Sequence, residues 1–350
     1  MINVTFAVLF SASIIALISD FLSEKKRKIL YFFLVIVLIF IAGFRDSETI
    51  HGDYLSYAGY YSSIVGGELS YFIEISFVYI SKLSNFIISD NSLVLFFIYA
   101  MIGVFLKAYA IKKLSNFFFF SLVVYISNYF IIHEMIQIRS GIASALILLS
   151  IIPLYKKLIF KFTFLIGLAT FFHYSSFIFF LLIFLRSNTF NRAYYLLLIP
   201  ASYFFNKLFA VADLIGIISN YIPFLGIIDK LDIYGESDLY KINVFGLYPI
   251  TRIIILIYFI FFAHKIQKYN KYNYLLLKMY ALGIFAYIAL SIYPIISVRV
   301  AYTLLLSEVI IIPTLIYSIK GFYLPRFSII LYSFLAFFLN VFFTSYFVSS

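Results

Sequence analysis

Apolar runs close to the length of a membrane crossing recur along the whole chain, and nothing constrains its fold more. One of them, Phe162–Leu185, holds 24 residues without a charged group. A helix of about 20 apolar residues crosses the hydrocarbon core. Backbone groups in lipid must pair internally, so only helices and closed barrels cross. Barrel strands alternate in polarity, and these runs do not. With 64% hydrophobic residues over 350 positions, the expectation is an all-α polytopic integral membrane protein. It reads as one membrane domain over residues 1–350, with about 10–12 transmembrane segments.

Charged residues make up 12% of the chain, against roughly 25% in soluble domains. The net charge of +11 sits in short loops, where basic residues orient membrane proteins. It is not a nucleic-acid signal. The absence of cysteine removes disulfides, thiol chemistry and cysteine metal sites. Met1–Ser19 lacks a basic start and a small-residue cleavage site, so it reads as a retained span.

Glu24-Lys25-Lys26-Arg27-Lys28 is the strongest topogenic signal and reads as cytoplasmic. Ile29–Phe44 then runs outward. Tyr71–Ile88, interrupted by Glu74, Lys82 and Asn85, reads as an interfacial helix on the outer face. Leu93–Leu106, Phe117–Ile132, Ile136–Leu154, Ala193–Ala212, Leu247–Ala263, Met279–Ser297, Val300–Ile319 and Phe327–Phe347 read as spans. Extracytoplasmic loops are expected at about 45–91 and 213–246. Inner loops then carry 18 of the 26 basic residues, Lys107 and Lys278 among them, and of the 15 acids only Asp20 and Glu24.

Phe162–Leu185 fits that path only if it enters and returns. A single crossing would place Arg186 and Arg192 outside and the acidic stretch 213–241 inside, against the charge rule. A re-entrant or broken segment at His173-Tyr174-Ser175-Ser176 removes the conflict. Non-helical backbone at that depth is tolerated where it lines a cavity.

Basic residues left on the outer side despite the bias are candidates for function. They include Arg45, Arg139, Arg252 and Arg299. Guanidinium matches phosphate bidentately and stays charged, so this set suggests an anionic lipid head such as a diphosphate. The alternative is pairing with Glu134, Glu308 or interfacial phospholipid. Phe44–Tyr54 adds Asp46, Glu48, His51 and Asp53 beside Arg45 at the membrane face. His51, His133 and His173 all fall outside, and His173 marks the break. A histidine there can serve as general base, or pack as a hydrogen-bonded core residue. Asp53 is the competing base, or a group that holds a sugar hydroxyl. Tyr54 and Tyr57 can stack on sugars or serve as ordinary interfacial tyrosines. His133-Glu134 adds polar groups at a span end. No metal site is expected.

Phe44-Arg45 … Gly52-Asp53-Tyr54 … Tyr57 resembles the "FR … G-x-D-Y-x-x-Y" segment of the EpsG family, with Gly52 and Asp53 adjacent where that pattern has a residue between. Gln137-Ile138-Arg139-Ser140-Gly141-Ile142-Ala143 is similar to the family's "xQxRxxIA" span start. Phe172-His173-Tyr174-Ser175-Ser176 is similar to its "xHxSA" element, and Val298-Arg299-Val300 to its late arginine. The resemblance implies a bacterial inner-membrane enzyme of the Wzy type, making O-antigen, capsule or exopolysaccharide, with similarity to GT-C-type membrane glycosyltransferases. It implies transfer of a glycan from undecaprenyl diphosphate onto a lipid-linked repeat unit at the periplasmic or exterior face. The implied partners are donor and acceptor lipid-linked glycans, membrane lipid and a chain-length regulator protein. His173, Asp53 and Arg139 would be catalytic. Arg45, Arg299, Arg252, His133, Glu134, His51, Tyr54 and Tyr57 would bind substrate. The leaving group is already on the donor, so no cofactor is expected. This agrees with the lack of a Gly-rich phosphate loop at a helix start. The rivals are a flippase for the same lipid-linked glycan, a ligase of finished glycan and a membrane acyltransferase.

Overall fold

The computed structural model describes residues 2–45, 53–68, 73–212 and 242–342. Among them every regular element is helical, and the chain is an all-α membrane protein. Six helices are long and apolar enough to cross a membrane: Ile2–Phe21, Ser92–Leu114, Ile138–Tyr155, Leu247–Gln267, Pro294–Ser318 and Tyr323–Phe342. Phe6, Phe10, Ile14 and Ile18 lie exposed along the first of them, as lipid permits and water does not. The chain forms two compact units, one of residues 1–184 and 308–350, the other of residues 185–307.

The first unit opens with α1 (Ile2–Ile18) and α2 (Glu24–Gly43). Ser23 caps α2 by accepting from the Lys26 N–H, and Glu24 occupies its first turn, where the positive helix end favours a carboxylate. Then come α3 (Tyr54–Val65), α4 (Ile75–Ile87) and α5 (Ser92–Leu114). The turn into α5 holds Asp90 at φ 55°. Its N–H donates to Asn85 Oδ1 at 2.9 Å, and Asn91 Oδ1 accepts from the Leu93 N–H at 2.9 Å. Helices α2 and α5 run antiparallel: Gly43 lies against Phe97, and Tyr31 Oη donates to the Ala108 carbonyl at 2.8 Å. A Cβ at Gly43 would collide with Phe97; small residues let membrane helices approach closely.

α6 (Phe118–Asn128) is followed by a π-helical turn, Ile131–Ile136, and by α7 (Ile138–Tyr155). α8 (Ile159–Phe172) packs on α7 and stops at His173, whose backbone is extended at φ −153°, ψ 110°. A 3-10 segment, Tyr174–Phe184, follows and packs back against α8. The expected break at His173 is present. The tighter helix also changes its reach: 11 residues extend about 22 Å at the 3-10 rise, against about 16 Å as α-helix. In the second unit α9 (Arg192–Ala212), α10 (Leu247–Gln267) and α12 (Pro294–Leu305) all pack on α11 (Asn273–Ala289). The first unit resumes with α13 (Glu308–Ile311), a 3-10 turn at Ile312–Thr314, α14 (Leu315–Ser318) and α15 (Tyr323–Phe342). Glu308 joins α13 to α6 and α15, accepting from Asn128 Nδ2 and Tyr129 Oη, each at 3.1 Å, and from Tyr332 Oη.

Three sequence expectations need correction. Lys107 is not an inner-loop lysine: it lies within α5, 0% exposed, and pairs with Glu134 at 2.5 Å. Lys278 lies inside α11, buried, and donates to the Arg186 and Thr189 carbonyls, each at 2.6 Å. The boundary expected near Ser297–Val300 falls instead at 290–293, because Pro294 opens α12; proline is favoured at a first helical position.

Candidate active site

Three helix ends of the first unit meet at one carboxylate. Glu74 precedes the first turn of α4, outside the apolar helices, with its carbonyl accepting from the Phe77 N–H at 2.9 Å. Arg139 is the second residue of α7, and His173 ends α8. Glu74 Oε1 stands 3.0 Å from His173 Nδ1, and Glu74 Oε2 is ion-paired with Arg139 Nη1. Glu74 and His173 are buried, Glu74 being 5% exposed, and the side chain of Arg139 is 12% exposed. A cation at a helix N-terminus opposes the helix dipole, so the position of Arg139 on α7 depends on Glu74. The carboxylate itself sits at the favourable end of α4. Burial alone would raise its pKa, but the His173 hydrogen bond and the Arg139 charge outweigh burial and bring it down to about 2.

Helix α3 supplies the wall. The Arg139 guanidinium lies 5.1 Å from the centre of the Tyr57 ring and 5.8 Å from that of Phe77. Tyr57 Oη donates to Asp53 Oδ2 at 3.5 Å. Asp53, Tyr57, Arg139, Glu74 and His173 thus form one chain of contacts. Tyr174, next to His173, donates to the Ile73 carbonyl at 3.4 Å and ties the break to the approach of Glu74. The sequence reading passed over Glu74 as an interruption of an apolar run. A carboxylate alone in such a run is costly in a membrane protein, and that cost was the available signal.

The remaining candidates divide into three places. Arg45 stacks on Phe96 and donates through Nη1 to the Glu134 carbonyl at 3.1 Å, with the Tyr54 ring 5.6 Å from the guanidinium. His133 and Glu134 are enclosed: His133 Nδ1 lies 3.3 Å from Ser144 Oγ, and Glu134 Oε1 accepts from Lys107 Nζ at 2.5 Å and Tyr125 Oη at 2.9 Å. Lys107 Nζ also donates to the Gly141 carbonyl at 2.6 Å. Cβ atoms at Gly103 and Gly141 would collide with the Glu134 carboxylate and the His133 carbonyl. This buried pair therefore fixes the π-turn that leads into Arg139.

Arg252 and Arg299 belong to the second unit. The Arg252 guanidinium lies 3.9 Å over the Tyr248 ring. Tyr248 packs against Tyr287 and Tyr302 at 4.9 and 5.6 Å between ring centres. Arg299 stands one helical turn before Tyr302 on α12, half-buried. His51 and the acids Asp46 and Glu48 lie outside the described residues.

The EpsG family model matches residues 4–350. No curated protein and no solved structure matches the chain.

Proposed function

Because the chain belongs to the EpsG family, and so is a membrane protein of Wzy-type polysaccharide biosynthesis, we propose that it polymerises lipid-linked oligosaccharide repeat units. The donor glycan leaves undecaprenyl diphosphate and joins the non-reducing-end sugar of an acceptor repeat. The observation that carries this reading is the Glu74–His173 hydrogen bond beside Arg139. An ionised carboxylate only accepts, so Nδ1 of His173 carries the proton and Nε2 carries the lone pair. That is the tautomer a general base needs.

In the step proposed, the acceptor hydroxyl attacks the anomeric carbon of the donor sugar. A glycosidic C–O bond forms, and the C–O bond to diphosphate breaks. The hydroxyl proton passes to His173 Nε2, and undecaprenyl diphosphate departs with the bonding pair. Glu74 and the carbonyl end of α8 stabilise the imidazolium that results. Arg139 holds Glu74 in place and adds positive charge where the departing diphosphate gains negative charge. Asp53, reached through Tyr57, suits a role in holding a sugar hydroxyl. The reaction is assigned to the outer face of the bacterial inner membrane, a reading supported by basic residues such as Lys25, Lys26, Arg27 and Lys28 at the opposite loops.

Deletion of the gene and sizing of surface polysaccharide test the reading. Loss of polymer with a single repeat unit retained supports polymerisation. Complete loss of surface glycan contradicts it and points to a flippase or a ligase.

A further inference from the structure

Arg45 is 2% exposed, yet among the described residues only one of its three guanidinium nitrogens has a hydrogen-bond partner. Nη1 donates to the Glu134 carbonyl at 3.1 Å and to the Ala42 carbonyl at 3.5 Å. Ala42 lies in the last turn of α2, where the helix dipole favours a cation. The flat face rests 3.9 Å over the Phe96 ring, which stacks on Tyr54 at 4.6 Å. The plane of the guanidinium is therefore held on two sides. Among the described residues Nε and Nη2 meet no acceptor, and no carboxylate pairs with Arg45. A buried donor left so is costly, more when charged.

The same unit shows what such an edge holds. Arg326 stacks over Phe322 at 3.8 Å and donates from Nη1 to the Phe322 carbonyl at 2.7 Å. Its Nε and Nη2 then close on Asp20 Oδ2 at 3.1 and 2.5 Å. Arg45 likewise has a ring against its face and a backbone carbonyl on Nη1, with no carboxylate of the described residues on the Nε–Nη2 edge. We propose that the Nε–Nη2 edge of Arg45 is a binding site for a phosphate oxyanion, either the head of a lipid-linked diphosphate or free phosphate. Two parallel N–H groups on a rigid fork match two oxygens of one phosphate. Tyr54, half-buried in the first turn of α3, borders the guanidinium, its ring centre 5.6 Å away. Tyr57 follows one turn later and faces Arg139, so the oxyanion site lies about one turn of α3 from the Arg139 set. The choice of phosphate rests on the polymerase reading; the open edge does not.

The chain contains no tryptophan, so Tyr54→Trp places a single fluorescent reporter against Phe96 and Arg45. The purified full chain carrying it is titrated with farnesyl diphosphate, inorganic pyrophosphate and farnesol. Farnesyl diphosphate should change the emission saturably, and farnesol should not. Arg45→Lys in the same background should weaken binding at least about tenfold. Weaker binding of pyrophosphate assigns the site to a lipid head, and equal binding assigns it to free phosphate. No saturable change with either compound overturns the site, and so does unchanged affinity in Arg45→Lys. If Arg45→Lys does not fold, the titration of Tyr54→Trp alone decides. Polymer formation without phosphate binding here removes the site and keeps the polymerase reading. Binding by a protein that makes no polymer does the reverse.

Discussion

His173 Nδ1 lies 3.0 Å from Glu74 Oε1, although 99 positions separate the two residues in the chain. One residue ends α8 and the other begins α4. Their meeting gives the histidine a defined tautomer, and it gives Arg139 the carboxylate its place on α7 requires.

Glu74→Gln keeps the shape of the side chain and removes its charge. The ring of His173 loses the partner that fixes its proton on Nδ1. Turnover should fall about 10²–10⁴-fold while KM for the lipid-linked substrate changes little. Purified protein with lipid-linked repeat units measures both. A large rise in KM with kcat unchanged would assign Glu74 to substrate binding instead.

Arg139→Lys keeps a positive charge and loses the planar fork. Polymer yield should drop heavily at a normal protein level. Normal polymer from this variant would show that a point charge suffices, and that no bidentate contact at Arg139 matters to the reaction.

Lys107 and Glu134 form a pair that is 0% and 1% exposed in its side chains. Removing one partner leaves a buried charge, at a cost of about 3–5 kcal/mol. Lys107→Met and Glu134→Gln should each lower the unfolding temperature strongly, and Lys107→Met with Glu134→Leu should recover most of the loss. Thermal unfolding in one detergent checks this. Equal and additive losses would show that the two side chains are not coupled.

Much of this arrangement was legible in the residues alone. Continuous apolar runs identified a helical membrane protein. The conflict between charge and a single crossing located the break at His173, and Arg139 stood out as an arginine at a span start. Pairing was not legible. A lysine in a loop and a lysine on the buried side of α5 look alike when charge is read only for orientation, so Lys107 was misplaced. Glu74 has no local feature that announces a partner on α8. The π-turn at Ile131–Ile136 has no periodicity of its own, so the enclosure of His133 and Glu134 was equally hidden.

Topology can be tested in a chain without cysteine. Lys271 and Asn243 are exposed and flank the two ends of α10. Lys271→Cys should be shielded from an impermeant thiol reagent added outside, and Asn243→Cys should react. The basic residues Lys265, Lys268 and Lys271 motivate the assignment. The reverse pattern would overturn that orientation of α10.

The general base is decided by one comparison: polymer formation from lipid-linked repeat units by purified His173→Ala and Asp53→Asn proteins. His173→Ala should lose about 10²–10⁴-fold in rate with substrate binding retained, and Asp53→Asn should keep measurable turnover. A His173→Ala protein within a few-fold of the unaltered chain, beside an inactive Asp53→Asn, would make Asp53 the base and leave the histidine a packing role against Glu74.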